Sequence, residues 1–407
     1  MIERTRLGER TLYPESESPL PRRVSTGRAL HLEYAYYAAI FYSYNGPTMG
    51  ISIPYVPTLW ILGIMAFCIL RSRSSLWMIY RPIFRPMLCI VIYLAIQYYL
   101  HGEGLSNLIS FIVWAATIII IQSSLLRNGF FHRMSFVMLF IGLPLIPFID
   151  FRQGEGAMRA GLATASVLSN PNSLAAWFGF CSMYFLIRAL ETPRLWDRIL
   201  SGSVTFIGLL IVALTVSRSV LLAVALSVVF ALRNQLKRGF LPILFAVALA
   251  GVGFIYGAFD NAIGHYVNRG TEESGRTGVI PYAFQRFVDS PYSGVGISNL
   301  GTVIPDSGAV ADPHNAFLFF ALSSGVVPLF LFLSYCYGAF KGALHVSRNH
   351  PYAAYLMPLF VYCFVNLLFN DTAYTFPWFI AVFSICLMRL SGTGRSTVRA
   401  PIFAHAK

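Results

Sequence analysis

A histidine, His314, stands at the head of a long apolar run in the stretch DPHNAFLFF (312–320). Asp is a favoured helix N-cap and Pro is pre-shaped for the first helical position, so Asp312 and Pro313 place His314 in a first helical turn. The positive end of the helix dipole there disfavours imidazolium, and a neutral imidazole can take a proton. The plainer alternative is a helix-end histidine bonded to a loop carbonyl. Arg218 interrupts IVALTVSRSVLLAVALSVVF (211–230). A charge in such a run marks either a functional site or an arginine snorkelling from a helix end. Arg286 lies in IPYAFQRFVD (280–289), which reads as a short helix with Phe284, Phe287 and Val288 on one face. The turns of SPYSGVGISNLG (290–301) follow, and Gly294 and Gly296 there allow backbone to approach a ligand closely. Arg152 and Arg159 supply further positive charge upstream. No HxxxH or DxD spacing suggests a metal site.

The elements that must hold these residues are membrane helices. The chain has 407 residues, of which 56% are hydrophobic and only 12% charged; mean hydropathy is +0.63. A soluble domain carries about twice that charged fraction. Apolar runs of about 20 residues read as spanning helices. Twelve are expected, near 29–46, 51–70, 86–101, 106–126, 134–150, 171–190, 199–216, 219–232, 239–258, 314–340, 351–370 and 374–390. The fold class is therefore all-α and polytopic. Its parts are an N-terminal tail (1–28), nine spans (29–258), one long loop with short helices (259–313), three more spans (314–390) and a C-terminal tail (391–407).

Basic residues orient the bundle. All of the 30 Lys and Arg except Arg152, Arg159, Arg218, Arg269, Arg276 and Arg286 fall on the side of the termini. By the positive-inside rule that side is cytoplasmic. No apolar core of a cleavable signal peptide precedes the first span. The net charge of +13 is explained by topology and anionic lipid, and calls for no nucleic-acid partner. The six cysteines fall inside expected spans without a CxxC pair, which makes them packing residues rather than a disulfide or zinc framework.

Four motifs, in order on one expected face, resemble those of the O-antigen ligase and polymerase superfamily. They are SNPNSLA (169–175), the SRS around Arg218, QRFVDSPYSGVGISNLG (285–301), and HNAFL (314–318). The family pattern often has Asp before the Pro-Asn pair, where this chain has Asn170. The resemblance spans roughly residues 160–380.

It implies an inverting, metal-independent glycosyltransferase with a GT-C-like fold in the bacterial inner membrane, its site facing the periplasm, with no cofactor. The donor would be undecaprenyl pyrophosphate-linked O-antigen and the acceptor lipid A–core oligosaccharide. On that implication His314 is the base; Arg218 and Arg286, helped by Arg152 or Arg159, bind pyrophosphate. Ser217, Asn172, Asn315, Gly294 and Gly296 support them. The chain length and single dominant loop favour a ligase over the related polymerase. A lipid-linked-sugar flippase is the non-enzyme alternative, a class that shows internal repeats or charges within spans; neither is apparent in the sequence.

Overall fold

A computed structural model describes residues 26–51, 53, 55–71, 85–102, 105–125, 129–154, 157–163, 167–232, 276–303, 310–311, 314–345 and 352–390. The ninth expected span (239–258), Arg269, Asp312, Pro313, residues 1–25 and the C-terminal tail lie outside the described residues. Thirteen α-helices lie within them: α1 (Thr26–Asn45), α2 (Val56–Arg71), α3 (Arg85–His101), α4 (Leu105–Leu125), α5 (Phe130–Gly142), α6 (Pro171–Glu191), α7 (Leu195–Leu214), α8 (Arg218–Leu232), α9 (Arg276–Asp289), α10 (Ala316–Ser324), α11 (Val326–Leu344), α12 (Ala353–Phe369) and α13 (Pro377–Leu390). Four segments are long and apolar enough to cross a membrane: Phe130–Phe148, in which α5 continues as 3-10 helix, and α6, α7 and α11. Shorter apolar stretches occupy α2, α3, α4, α8, α12 and α13.

Side-chain ties show which helix ends lie together. Asn45, the last residue of α1, donates to the Ile141 carbonyl near the end of α5 at 3.2 Å. Tyr362, two turns before the end of α12, donates to the Ala176 carbonyl near the start of α6 at 2.8 Å. Asn315 donates to Leu368 O at 3.0 Å, joining the start of α10 to the end of α12. The starts of α6, α8 and α10 therefore share one end of the bundle with the ends of α1, α5, α7 and α12. We call it the His314 end.

Close approach in this bundle depends on small residues, as it does where lipid supplies no hydrophobic drive between helices. Gly338 and Gly342 lie one turn apart on α11, and a Cβ on Gly342 would collide with the Cys386 backbone of α13. A Cβ on Gly208 of α7 would likewise strike Ser182 and the Phe178 carbonyl of α6. Between the helices run stacked aromatics: Trp378 lies 5.0 Å from Phe180 and 5.3 Å from Phe376, centroid to centroid.

Three expectations change. First, the 314–340 run is two helices rather than one span. Gly325 (φ 87) breaks it, and α10 folds back so that Phe317 and Phe320 both pack on Phe332 of α11, at 5.5 and 4.4 Å. The long apolar helix is then α11, Val326–Leu344. Second, an antiparallel hairpin, β1 (Ile149–Gly154) and β2 (Ala157–Leu162), interrupts the all-α pattern between α5 and α6, where the 134–150 span runs out. Its register runs from Ile149–Leu162 to Gly154–Ala157. A second small pair, β3 (Thr302–Val303) and β4 (Val310–Ala311), lies in the long loop.

Third, a charge does lie within an expected span. Glu33 on α1 is only 1% exposed. Arg133 at the start of α5 clasps its carboxylate with two bonds, 2.6 Å from Nε and 2.8 Å from Nη2, and Tyr37 donates a third at 2.7 Å. Paired, the carboxylate is satisfied; removing its charge strands the arginine's fork. Breaking a buried pair typically costs about 3–5 kcal/mol, and the partly exposed Arg133 side chain puts this one toward the low end. Glu33→Gln is expected to lower the thermal unfolding midpoint of the purified protein, whereas Tyr37→Phe, which removes one bond, lowers it less. Equal midpoints for Glu33→Gln and the parent would show that the pair contributes nothing.

Candidate functional site

At the His314 end, α6 begins with a well-formed cap. Asn170 is the N-cap, its side-chain oxygen accepts from the Asn172 N–H at 2.9 Å, and Pro171 follows at the first helical position. Asn172 is thereby fixed with its own side-chain oxygen directed at the turn between α7 and α8. That oxygen accepts from Arg159 Nη2 at 2.9 Å and from Ser217 Oγ at 3.0 Å. Arg159 is buried on β2 and also donates through Nε to the Thr215 carbonyl at 3.0 Å. The hairpin, the start of α6 and the α7–α8 turn are thus tied through one guanidinium.

The turn so held is strained. Val216 is buried with φ 52, a conformation uncommon for any side chain and costly for a β-branched one. Such strain, on the order of 1–3 kcal/mol, persists only where the surroundings over-determine it, and the Arg159–Thr215 bond is part of that determination. Two residues later α8 starts at Arg218, which is exposed. The starts of α6 and α8, Arg159 and Arg218 together place positive potential at this point of the bundle. Arg159 acts here by positioning. Arg152 is its cross-strand partner in the β1–β2 register.

His314 is not in a first turn. Asn315, extended at φ −135, is the N-cap of α10 and accepts from the Phe317 and Leu318 N–H groups at 2.9 and 3.1 Å. His314 lies just outside the helix with φ 44. Its expected dipole environment therefore does not hold. A carboxylate replaces it: Nδ1 is 3.8 Å from Asp371 Oδ1, with the two side chains 38% and 24% exposed. Asp371 follows the end of α12, in a turn where Asn370 accepts from the backbone and hydroxyl of Thr372. A carboxylate beside Nδ1 is the arrangement that orients a histidine for proton transfer at Nε2. Sequence reading passed over Asp371. The signal available was the polar triplet Asn370-Asp371-Thr372, which separates two apolar runs on the side expected to carry His314.

The third group is built differently from expectation. Arg286 on α9 donates to the carbonyls of Asn299 at 2.7 Å and Gly301 at 2.6 Å, so its guanidinium shapes the turn that follows. Gly294 (φ 67) does let backbone approach closely, but what approaches is protein: a Cβ there would hit the main chain of Leu322 to Ser324. The Val295 and Gly296 N–H groups bond to the carbonyls of Leu322 and Ser323 at 2.7 and 3.2 Å, and Val326 N–H bonds to Pro291 O at 2.7 Å. The segment 291–296 thus lines the α10–α11 bend and satisfies groups that the break at Gly325 leaves unpaired. Gly325 has no room either, because a Cβ would meet the carbonyls of Pro291 and Tyr292. Among the described residues no three of His, Cys, Asp and Glu gather as metal ligands.

Apolar helices packed through small residues, one end of the bundle carrying Arg159, Arg218 and His314, define a helical membrane protein. Residues 203–333 match a family model described as O-antigen ligase, the family that the sequence motifs resemble. The match takes in Ser217, Arg218, Arg286, Gly294, Gly296, His314 and Asn315; Arg152, Arg159, Asn172 and Asp371 lie outside it. No curated protein matches the chain.

Proposed function

We propose that the chain is an O-antigen ligase: an inverting, metal-independent glycosyltransferase of GT-C type. It moves O-antigen polysaccharide from undecaprenyl pyrophosphate to lipid A–core oligosaccharide. The observation that carries this reading is His314, faced by Asp371 and standing at the same bundle end as Arg218 in a stretch matched by the ligase family model. The acceptor hydroxyl gives its proton to His314 Nε2 as its oxygen attacks the anomeric carbon. The carbon–oxygen bond to pyrophosphate breaks on the opposite face, and the electron pair leaves with the phosphate oxygen. Charge growing on that oxygen is met by Arg218, in a geometry that Arg159, Asn172 and Ser217 hold from behind. Arginine suits this work because its planar fork binds two phosphate oxygens and keeps its charge. Arg152 and Arg286 complete the basic surround. On this reading the His314 end faces the periplasm and both termini the cytoplasm, as the basic-residue bias requires.

The lipopolysaccharide banding pattern of a deletion strain tests the proposal. A ligase leaves no long-chain bands, and lipid-linked polymer accumulates. A pattern stopping at one repeat would instead assign the chain as a polymerase. Normal bands would remove both assignments.

A further inference from the structure

The helix α9 has an apolar surface on two adjoining flanks, only one of which the described residues cover. Val279, Ala283 and Phe287 pack around Leu322 of α10. Next to them, Ile280, Phe284 and Val288 form a second stripe at i, i+4 and i+8, 42%, 56% and 50% exposed. Tyr292 continues it, 76% exposed. The polar side, with Gln285 bonded to Asp289 at 2.9 Å, points elsewhere. A helix covered by protein along one apolar flank and bare along the next sits at a corner, and the bare flank needs its own apolar neighbour.

The backbone just beyond α9 identifies that neighbour. Pro291 O accepts from Val326 N–H, the first residue of the membrane-length helix α11. Tyr93 of the apolar helix α3, about two turns before its end, donates to Tyr292 O at 2.7 Å, and the His101 ring at that end lies 3.0 Å from Ser293 O. The chain following the stripe is therefore anchored against the last turns of α3 and the first of α11, at the height where those helices leave lipid. Tyrosine is the residue expected at such a boundary.

The geometry points to α9 as an interfacial helix whose Ile280–Phe284–Val288–Tyr292 stripe rests in the lipid leaflet at the His314 end. An amphipathic helix of this kind lies in the membrane plane with its apolar face sunk to the headgroup–acyl boundary. The same seating sets Arg286, on α9, at headgroup height.

Depth-resolved quenching tests it on the whole chain in lipid nanodiscs. In a Cys89→Ser background, which removes the exposed cysteine, a polarity-sensitive fluorophore is placed singly at Ile280→Cys, Phe284→Cys or Asp289→Cys. Lipids carrying a nitroxide near the headgroup should quench the first two labels at least about threefold more than the third, with blue-shifted emission at 280 and 284 alone. Equal quenching at all three would mean that the whole helix is immersed. No quenching at 280 and 284 would mean that the stripe faces water or a soluble partner. Either result overturns the proposal, and using two stripe positions guards against one label disturbing the fold.

Discussion

His314→Ala is expected to abolish transfer while the protein still binds lipid-linked donor. General-base catalysis contributes about 10²–10⁴-fold, and the arginines proposed to meet the donor are on other elements. The competing explanation is structural, because the residue adjoins a cap: Asn315 secures the first turn of α10 and reaches the Leu368 carbonyl. Asn315→Asp separates the two. It keeps the side-chain oxygen that caps the helix and loses the donor to Leu368, so its defect is expected to be mild beside that of His314→Ala. Asp371→Asn supplies a readout that packing would not move. The amide keeps the shape but not the negative charge facing Nδ1, so kcat falls while KM for donor holds. His314→Gln is also expected to be inactive, since glutamine preserves hydrogen bonding without accepting a proton. An active His314→Gln protein beside a dead Asn315→Asp protein would move the histidine from base to scaffold.

The second large effect belongs to Arg218. Arg218→Ala is expected to lose about 10²–10³-fold in transfer, the loss typical when one donor to a developing anion is removed. Arg218→Lys recovers part of it, since the charge returns without the bidentate fork. Arg159→Lys offers the informative contrast. One ammonium cannot readily meet both the Thr215 carbonyl and the Asn172 oxygen in the geometry that the guanidinium holds, so the strained Val216 turn loses a tie. Arg159→Lys should therefore lower thermal stability as well as activity, and lower stability more than Arg218→Ala does. The measurements are initial transfer rates and unfolding midpoints on the same preparations. Parent-like rates in Arg218→Ala would reduce that residue to an arginine at a helix end.

How far the sequence could be read depended on how local each cause was. Apolar runs announced most helices, because burial in lipid acts on about twenty consecutive residues at once. The Asn-Pro pair at 170–171 is the start that cap chemistry favours, yet the same reasoning applied to Asp312-Pro313 missed by a few residues. Two candidate caps stood three apart there. The choice of Asn315 goes with packing that local rules cannot weigh, Phe320 lodging among Trp114, Phe332 and Tyr374. The break at Gly325 was hidden for a similar reason: a lone glycine in an apolar run gives no sign that another strand of chain will press against it. Glu33 and Arg133 are a hundred residues apart in sequence, beyond any periodicity. Of the site itself, residue types were legible and partnerships were not. Arg159, expected with Arg152 as an alternative helper at the phosphates, has its guanidinium bonded to Thr215 and Asn172, a partnership no local pattern announces.

The seam between residues 291–296 and the α10–α11 bend is made of main-chain bonds: Val295 to Leu322, Gly296 to Ser323, and Val326 to Pro291. A joint of that kind is indifferent to most of the side chains it carries. Gly294 and Gly325 are locked because any Cβ would run into opposing backbone, and Gly296 because it holds φ 85, ψ 157, a conformation left to glycine. The exposed positions beside them, Tyr292 and Ser293, are therefore open to exchange without shifting the frame. A chain built this way can be re-tailored to a different ligand or a different bilayer by rewriting the surface of the seam while its stitching stays the same.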